Sequence, residues 1–153
     1  MADDAPMTSI GEALARHHDL CDESFAQADA DASRGDLASA RRHLARFREQ
    51  IERHFGAEES LLFPALERAT GNGGGPAAVM RAEHAQMREL TDQMVAALGA
   101  GDVGAYQDGA TTLLILIGQH NHKEESILYP MCDATIPLAG QVLDRIIRQL
   151  QFP

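Results

Sequence analysis

The chain has 153 residues, with 13 basic and 23 acidic side chains and a formal net charge of −10. This length is typical of one domain, expected over residues 1–153, and the negative charge disfavours nucleic acid and anionic membranes as partners. Only two cysteines, no N-terminal leader pattern and no apolar run long enough to cross a bilayer predict a cytoplasmic protein without a disulfide scaffold.

Apolar residues that recur every three or four positions predict two helices in the first half of the chain. Thr8 or Ser9 can cap the first helix, which should end near Gly35. Asp36 can cap the second helix, which is expected to run to about residue 69 with a kink near Pro64. The predicted inward-facing positions are Ile10, Leu14, His18, Cys21, Phe25 and Ala28, then Ala40, Leu44, Phe47, Ile51, His54, Glu58 and Leu61.

The second half of the chain repeats this pattern after a glycine-rich break. Pro76 suits the first turn of a third helix, Gly101 should end it, and Asp102 can cap a fourth. The predicted inward-facing positions are Met80, His84, Met87, Thr91, Met94 and Leu98, then Tyr106, Ala110, Leu113, Ile117, His120, Glu124 and Ile127. An amphipathic segment from Leu138 to Leu150 predicts a short fifth helix, which carries no histidine.

The two halves form an internal repeat. The segment that begins at His54 returns 66 residues later at His120, and in both copies a glutamate follows four residues after the histidine. On a helix that spacing places both side chains on one face. The same shift pairs His18 with His84. Two helical hairpins, at about residues 8–70 and 76–133, are therefore expected to pack as an all-α, up-down-up-down four-helix bundle.

Six polar side chains fall on the inward-facing positions of this bundle: His18, His54, Glu58, His84, His120 and Glu124. Unpaired buried carboxylates are costly, so a positive charge is needed among them. Two metal ions would supply it, with carboxylates bridging both ions and two imidazoles on each. A ligand set without thiolate favours iron or manganese over a structural zinc site, although the ligand types alone also allow zinc.

These motifs resemble the hemerythrin-like, or HHE cation-binding, domain over about residues 8–132. The resemblance rests on the histidine of Arg16-His-His-Asp19, on Glu83-His84, and on both His-x-x-x-Glu-Glu motifs with their trailing Leu-Phe-Pro or Leu-Tyr-Pro. It implies a non-heme di-iron centre in which Glu58 and Glu124 bridge the ions together with an oxo or hydroxo group. The family includes oxygen carriers, oxygen and iron sensors, and proteins implicated in repairing damaged iron centres.

Two positions depart from the oxygen carriers of this family. Arg88 stands where a carrier has a fifth histidine, and Glu125 stands where it has an aspartate, while the repeat favours Glu124 as the ligand. Reversible oxygen transport is therefore not expected. The resemblance instead implies binding or sensing of oxygen, nitric oxide or peroxide, or management of cellular iron. The alternatives are a di-iron oxidase, peroxidase or iron-centre repair protein, and a helical interaction module with another metal or none.

Several polar residues beside the predicted ligands leave alternatives open. His17 falls near the edge of the first inward stripe, and it could replace His18 or supply a fifth ligand. Glu59 and Glu125 are expected to face solvent or to accept hydrogen bonds from ligand imidazoles, and Glu125 also stays open as a ligand. Cys21 is expected to be a small buried side chain.

Overall fold

The computed structural model describes residues 5–73 and 75–153, and this part of the chain is built from helices without strands. The α-helices are α1 (Ile10–Ser33), α2 (Leu37–Ala57), α3 (Phe63–Thr70), α4 (Pro76–Gly99), α5 (Val103–Lys123), α6 (Tyr129–Thr135) and α7 (Ala139–Leu150). Two π-helical turns, Glu58–Leu62 and Glu124–Leu128, join α2 to α3 and α5 to α6. The result is the predicted all-α four-helix bundle, with α7 as the additional C-terminal helix.

The two hairpin turns have the same chemistry. Asp36 and Asp102 cap α2 and α5, because their carboxylates accept hydrogen bonds from the backbone N–H groups three residues later, at 3.1 and 3.0 Å. Gly35 and Gly101 precede these caps with φ values of 78° and 72°, in the left-handed region that favours glycine. Both hairpins therefore begin their second helix in the same register, as the repeat predicts.

Two apolar clusters fill the bundle, one on each side of a polar layer. In α1, Leu14 belongs to the first cluster and Cys21 to the second, with His18 between them. In α4, Met80 and Met87 are divided in the same way. Because apolar layers lie on both sides of the polar side chains, the polar layer is sealed from solvent along the bundle.

Each π-helical turn contains one residue more than an α-helical turn. The backbone N–H groups of Phe63 and Tyr129 donate to the carbonyl oxygens of Glu58 and Glu124, five residues earlier. In an α-helix the corresponding bond spans four residues. The fifth residue after each of these glutamates therefore returns to the glutamate's own side of the helix.

The π-helical turns change which side chains are buried after the two glutamates. Ile127 is 58% exposed and Leu61 is only half-buried, so the prediction that they continue the inward stripes is wrong. That prediction assumed an uninterrupted α-helical period. The buried residues are instead Leu62, Phe63, Leu128 and Tyr129. The irregularity expected near Pro64 is present, but it is a π-helical turn just before that proline.

The C-terminal helix α7 covers one end of the bundle. It buries Leu143, Ile146 and Leu150 and packs against α1, α2 and the first π-helical turn. Leu138, predicted as its first residue, is 71% exposed and precedes the helix with a φ of 55°. Within the described residues, the helices are too short or too polar to cross a membrane.

Candidate metal centre

The six predicted ligands are all buried in the polar layer, and each is at most 3% exposed: His18, His54, Glu58, His84, His120 and Glu124. Their ligand atoms form two groups, in each of which the atoms lie within 4.8 Å of one another. One group contains Glu58, His84, His120 and Glu124, and the other contains His18, His54 and Glu124. We call the surroundings of His18 and His54 the first half of the centre, and those of His84 and His120 the second half.

Each glutamate lies between the two halves. Glu58 Oε1 is 3.2 Å from Nε2 of His54 and 3.4 Å from Nε2 of His84. Glu124 Oε1 is 3.2 Å from Nε2 of His18 and 3.1 Å from Nε2 of His120. Each carboxylate thus faces one imidazole from each half.

Four polar atoms of the predicted ligands lack a hydrogen-bond partner among the described residues: Glu58 Oε1, Glu124 Oε2, His84 Nε2 and His120 Nε2. An unsatisfied buried polar atom costs about 1–3 kcal/mol. Four such atoms grouped in one place are explained if a cation accepts their lone pairs. Carboxylate and imidazole donors without thiolate fit ions such as iron or manganese. The residues present therefore fit a metal centre.

Carboxylates hold three of the four ligand imidazoles from behind: His18 Nδ1 lies 3.1 Å from Glu125, His84 Nδ1 lies 3.2 Å from Glu59, and His120 Nδ1 lies 2.8 Å from Glu83. Since a carboxylate only accepts, each Nδ1–H donates to it, and Nε2 faces the centre with a lone pair that is available when the ring is neutral. The supporting roles expected for Glu59 and Glu125 agree with these contacts. Sequence reasoning missed that role for Glu83.

His17 contacts the imidazole of His54, the fourth histidine among the predicted ligands. It is 2% exposed, and its Nδ1 lies 3.0 Å from Nδ1 of His54. Although the sequence places His17 near the edge of the stripe, its side chain is buried, because the C-terminal segment covers that edge and the Phe152 ring packs edge-on against His17 at 5.6 Å. His17 contacts the outer nitrogen of His54, whereas His18 is grouped with His54 and Glu124. In the internal repeat His17 is equivalent to Glu83, so the two halves differ at this position.

Tyr129 is a central residue that sequence reasoning missed. Its hydroxyl lies 3.0 Å from Glu58 Oε2, 3.1 Å from Glu124 Oε1 and 3.3 Å from Nε2 of both His18 and His54. The equivalent residue in the first hairpin is Phe63, whose ring stacks on His84 at 5.7 Å. The difference between Leu-Phe-Pro and Leu-Tyr-Pro was visible in the sequence, but only the π-helical turn directs the tyrosine inward.

A family profile described as the hemerythrin HHE cation binding domain matches residues 9–132, which contain all six predicted ligands. The chain belongs to this family. Iron-sulfur cluster repair proteins YtfE from three strains of Yersinia pseudotuberculosis are each 28% identical to it over 144 residues, covering 82% of this chain and 65% of the relative. The chain thus spans slightly less than two-thirds of the length of these relatives. No solved structure matches it significantly.

Arg88 pairs with two carboxylates of the first hairpin. Its guanidinium pairs with Glu52 at 2.9 Å and with Glu59 at 2.6 Å. It also lies over the ring of Phe55, which stacks on His84 with the ring centroids 3.9 Å apart. Arg88 therefore balances the charge of the carboxylate that holds His84.

The charges of this HHE centre depend on its protons when no cation is bound. Burial and the adjacent charge of Glu124 raise the pKa of Glu58 well above its ordinary value. Burial disfavours charged His18, but the carboxylates of Glu124 and Glu125 outweigh it and raise the pKa of His18 to about 9. Burial and the nearby His120 lower the pKa of His84 to about 4. In the metal-free protein, protons on Glu58 and His18 therefore provide part of the charge balance that metal ions would provide.

Proposed function

We propose that this protein binds two iron ions in the buried centre and uses an open coordination position to bind or sense oxygen, nitric oxide or peroxide. His18 and His54 would hold one ion, and His84 and His120 the other. The observation that carries this proposal is the position of Glu58 and Glu124, each of which faces one imidazole from each half. A further oxo or hydroxo bridge stays a prediction.

Hydrogen bonds orient the predicted ligands, and apolar side chains enclose them on both sides. Bound iron would supply open coordination positions and one-electron redox chemistry. The carboxylates behind His18, His84 and His120 fix the imidazole rings and make Nε2 a better donor. The apolar clusters on both sides of the polar layer limit the access of water. These features support selective binding of a small, uncharged ligand at the metal.

A second candidate function is the supply or management of iron in the repair of iron centres. The relatives named as iron-sulfur cluster repair proteins favour it, although the chain spans only 65% of their length. Under this proposal the same centre would release iron to an acceptor. A di-iron oxidase or peroxidase needs the same ligands, so only measured reactivity separates it from a binding protein.

The test is anaerobic loading with ferrous iron, followed by metal counting and exposure to oxygen while the visible absorption is recorded. We expect about two irons per chain, and less than about one after Glu124→Ala, because Glu124 faces both halves. The exposed His122 provides the matched control, since His122→Ala should leave the iron content unchanged.

Reactivity separates the functional alternatives. A reversible spectral change with oxygen or nitric oxide would support binding or sensing. Rapid irreversible oxidation with turnover of peroxide would support an enzyme, and transfer of iron to a chelator on oxidation would support iron supply. An iron content near zero that Glu124→Ala does not alter would contradict all three iron hypotheses.

A further inference from the structure

The hydroxyl of Tyr129 occupies the middle of the first half of the centre. The side chain is 1% exposed, and the hydroxyl oxygen has four neighbours at 3.0–3.3 Å: Glu58 Oε2, Glu124 Oε1, His18 Nε2 and His54 Nε2. These four atoms belong to the residues that would bind metal. The tyrosine oxygen is therefore surrounded by ligand atoms and by no other polar group among the described residues.

In the protonation state that binds metal, hydrogen bonding alone does not account for this arrangement. A phenol hydroxyl has one hydrogen and donates once. Ionised carboxylates only accept, and a histidine that presents its Nε2 lone pair to a metal also only accepts. With the centre in its metal-binding state, at least three of the four contacts around Tyr129 would therefore place acceptor against acceptor.

The same distances are expected if the five atoms share one metal ion. Nitrogen and oxygen ligands lie about 2.0–2.2 Å from first-row divalent ions, so neighbouring ligands at right angles are separated by about 3 Å. The oxygen of Tyr129 is 3.0 Å from Glu58 and 3.1 Å from Glu124. His54 Nε2 and Glu58 Oε1, two predicted ligands, are likewise 3.2 Å apart. The phenol oxygen thus has the spacing of a ligand.

The second half provides an internal comparison. Phe63 follows Glu58 by five residues through the same π-helical hydrogen bond that connects Tyr129 to Glu124. Phe63 has no oxygen, and Nε2 of both His84 and His120 lacks a hydrogen-bond partner within the described ranges. The equivalent backbone position therefore brings a phenol oxygen into the first half and a phenyl ring without oxygen to the second.

We infer that the phenol oxygen of Tyr129 is a ligand of the ion held by His18 and His54, and that the open position for a small ligand lies on the ion held by His84 and His120. This inference rests on the proposed di-iron function. On coordination the O–H bond is replaced by an oxygen–iron bond, and the proton leaves to solvent. The anionic phenolate then favours the ferric state of that ion.

The test is spectroscopic and uses the ferric, iron-loaded full chain. A tyrosinate ligand to ferric iron gives a visible charge-transfer band, and excitation into this band enhances phenolate ring vibrations in the resonance Raman spectrum. We expect both signals in the natural sequence and their loss in Tyr129→Phe, with each signal normalised to the iron bound by that chain. Tyr129→Phe copies the residue of the first hairpin, so the change in packing is small.

The chain offers a matched control because it contains only two tyrosines. Tyr106 is fully buried in the apolar cluster on the far side of the polar layer from Phe63 and Tyr129. Tyr106→Phe should leave the band and the Raman signals unchanged. The reciprocal variant Phe63→Tyr places a phenol in the second half, and we expect a band of roughly doubled intensity.

Azide, a small anion that binds open ferric positions, tests the second part of the inference. About one azide should bind per natural chain, about two per Tyr129→Phe chain and none per Phe63→Tyr chain. Two bound irons without a phenolate signal in the natural sequence would overturn the inference and leave the proposed di-iron function intact. A signal that persists in Tyr129→Phe would also overturn it. An iron content below about one per chain would overturn both.

Discussion

The first and second hairpins carry equivalent predicted ligands but surround them differently. In the first half of the centre, neutral His17 stands behind His54, and the hydroxyl of Tyr129 lies against both imidazoles. In the second half, Glu83 stands behind His120, and Phe63 supplies only a ring. The repeat therefore places the ligand atoms symmetrically, while single residues beside them make the two halves chemically unlike.

The comparison also shows that neither hairpin completes its own half. Tyr129 and Glu125 come from the second hairpin and contact His18 of the first. Phe63 and Glu59 come from the first hairpin and contact His84 of the second. This exchange couples the hairpins, so a change in one half is expected to alter the packing of the other.

The largest predicted contrast between the halves is in the pH dependence of the metal-free protein. The pKa of His18 is raised to about 9 from 6.5, so its contribution to the free energy of unfolding is complete below pH 6.5 and is lost as the pH rises to about 9. The pKa of His84 is lowered to about 4, so its contribution is present above pH 6.5 and is lost as the pH falls towards 4.

Each of these two contributions to the free energy of unfolding amounts to at most about 3 kcal/mol, because one pKa unit corresponds to about 1.4 kcal/mol. Urea denaturation of the chelator-treated protein at pH 4.5, 6.5 and 9 measures both contributions to the free energy of unfolding. His18→Gln should remove the loss of stability between pH 6.5 and 9. His84→Gln should reduce the loss of stability between pH 6.5 and 4.5. Part of that acid loss should remain, because burial also lowers the pKa of His17 to about 4. Equal pH profiles for the two variants would contradict this difference between the halves.

A smaller effect is expected from the residues behind the imidazoles. Glu83→Gln keeps a hydrogen-bond acceptor for His120 but removes its charge, which gives His120 a neutral partner like that of His54. We expect metal affinity to fall by roughly tenfold, the lower end of the effect of losing such a partner. Competition with a chelator measures the affinity, and the exposed Glu23→Gln on α1 is the control. Unchanged affinity would show that the charge behind the ligand has no influence.

The smallest contrast concerns the contacts that tie the hairpins together. Asp133 on α6 accepts hydrogen bonds from the backbone N–H groups of Ile10 and Gly11, at 2.9 and 3.0 Å, and so caps α1. Its repeat equivalent, Glu67, instead pairs with Arg81 at 2.5 Å. Asp133→Ala should lower the free energy of unfolding by about 1 kcal/mol, and Glu67→Ala by less than about 1 kcal/mol. Urea denaturation with metal removed compares them, and a larger loss for Glu67→Ala would reverse the prediction.

Periodicity predicted the features that depend on regular α-helices. The bundle, both aspartate caps and the burial of all six polar ligand candidates follow from positions repeated every three or four residues. The role of Tyr129 could not be found in this way, because a π-helical turn begins at each glutamate and adds one residue to the helical turn, so the α-helical spacing no longer applies. The burial of His17 depends on Phe152, which is distant in sequence. The single domain over residues 1–153 stays a prediction.

The π-helical turn at Glu124–Leu128 also affects how related sequences should be aligned. It contains one residue more than an α-helical turn at the same place. If Ser126 were missing, Tyr129 would follow Glu124 by four residues, and an α-helix would still bring both side chains to one face. A relative that lacks one residue in this segment would therefore still place its tyrosine on the same face as its glutamate. An alignment should introduce a one-residue gap here so that the tyrosine of the relative is aligned with Tyr129 and its glutamate with Glu124.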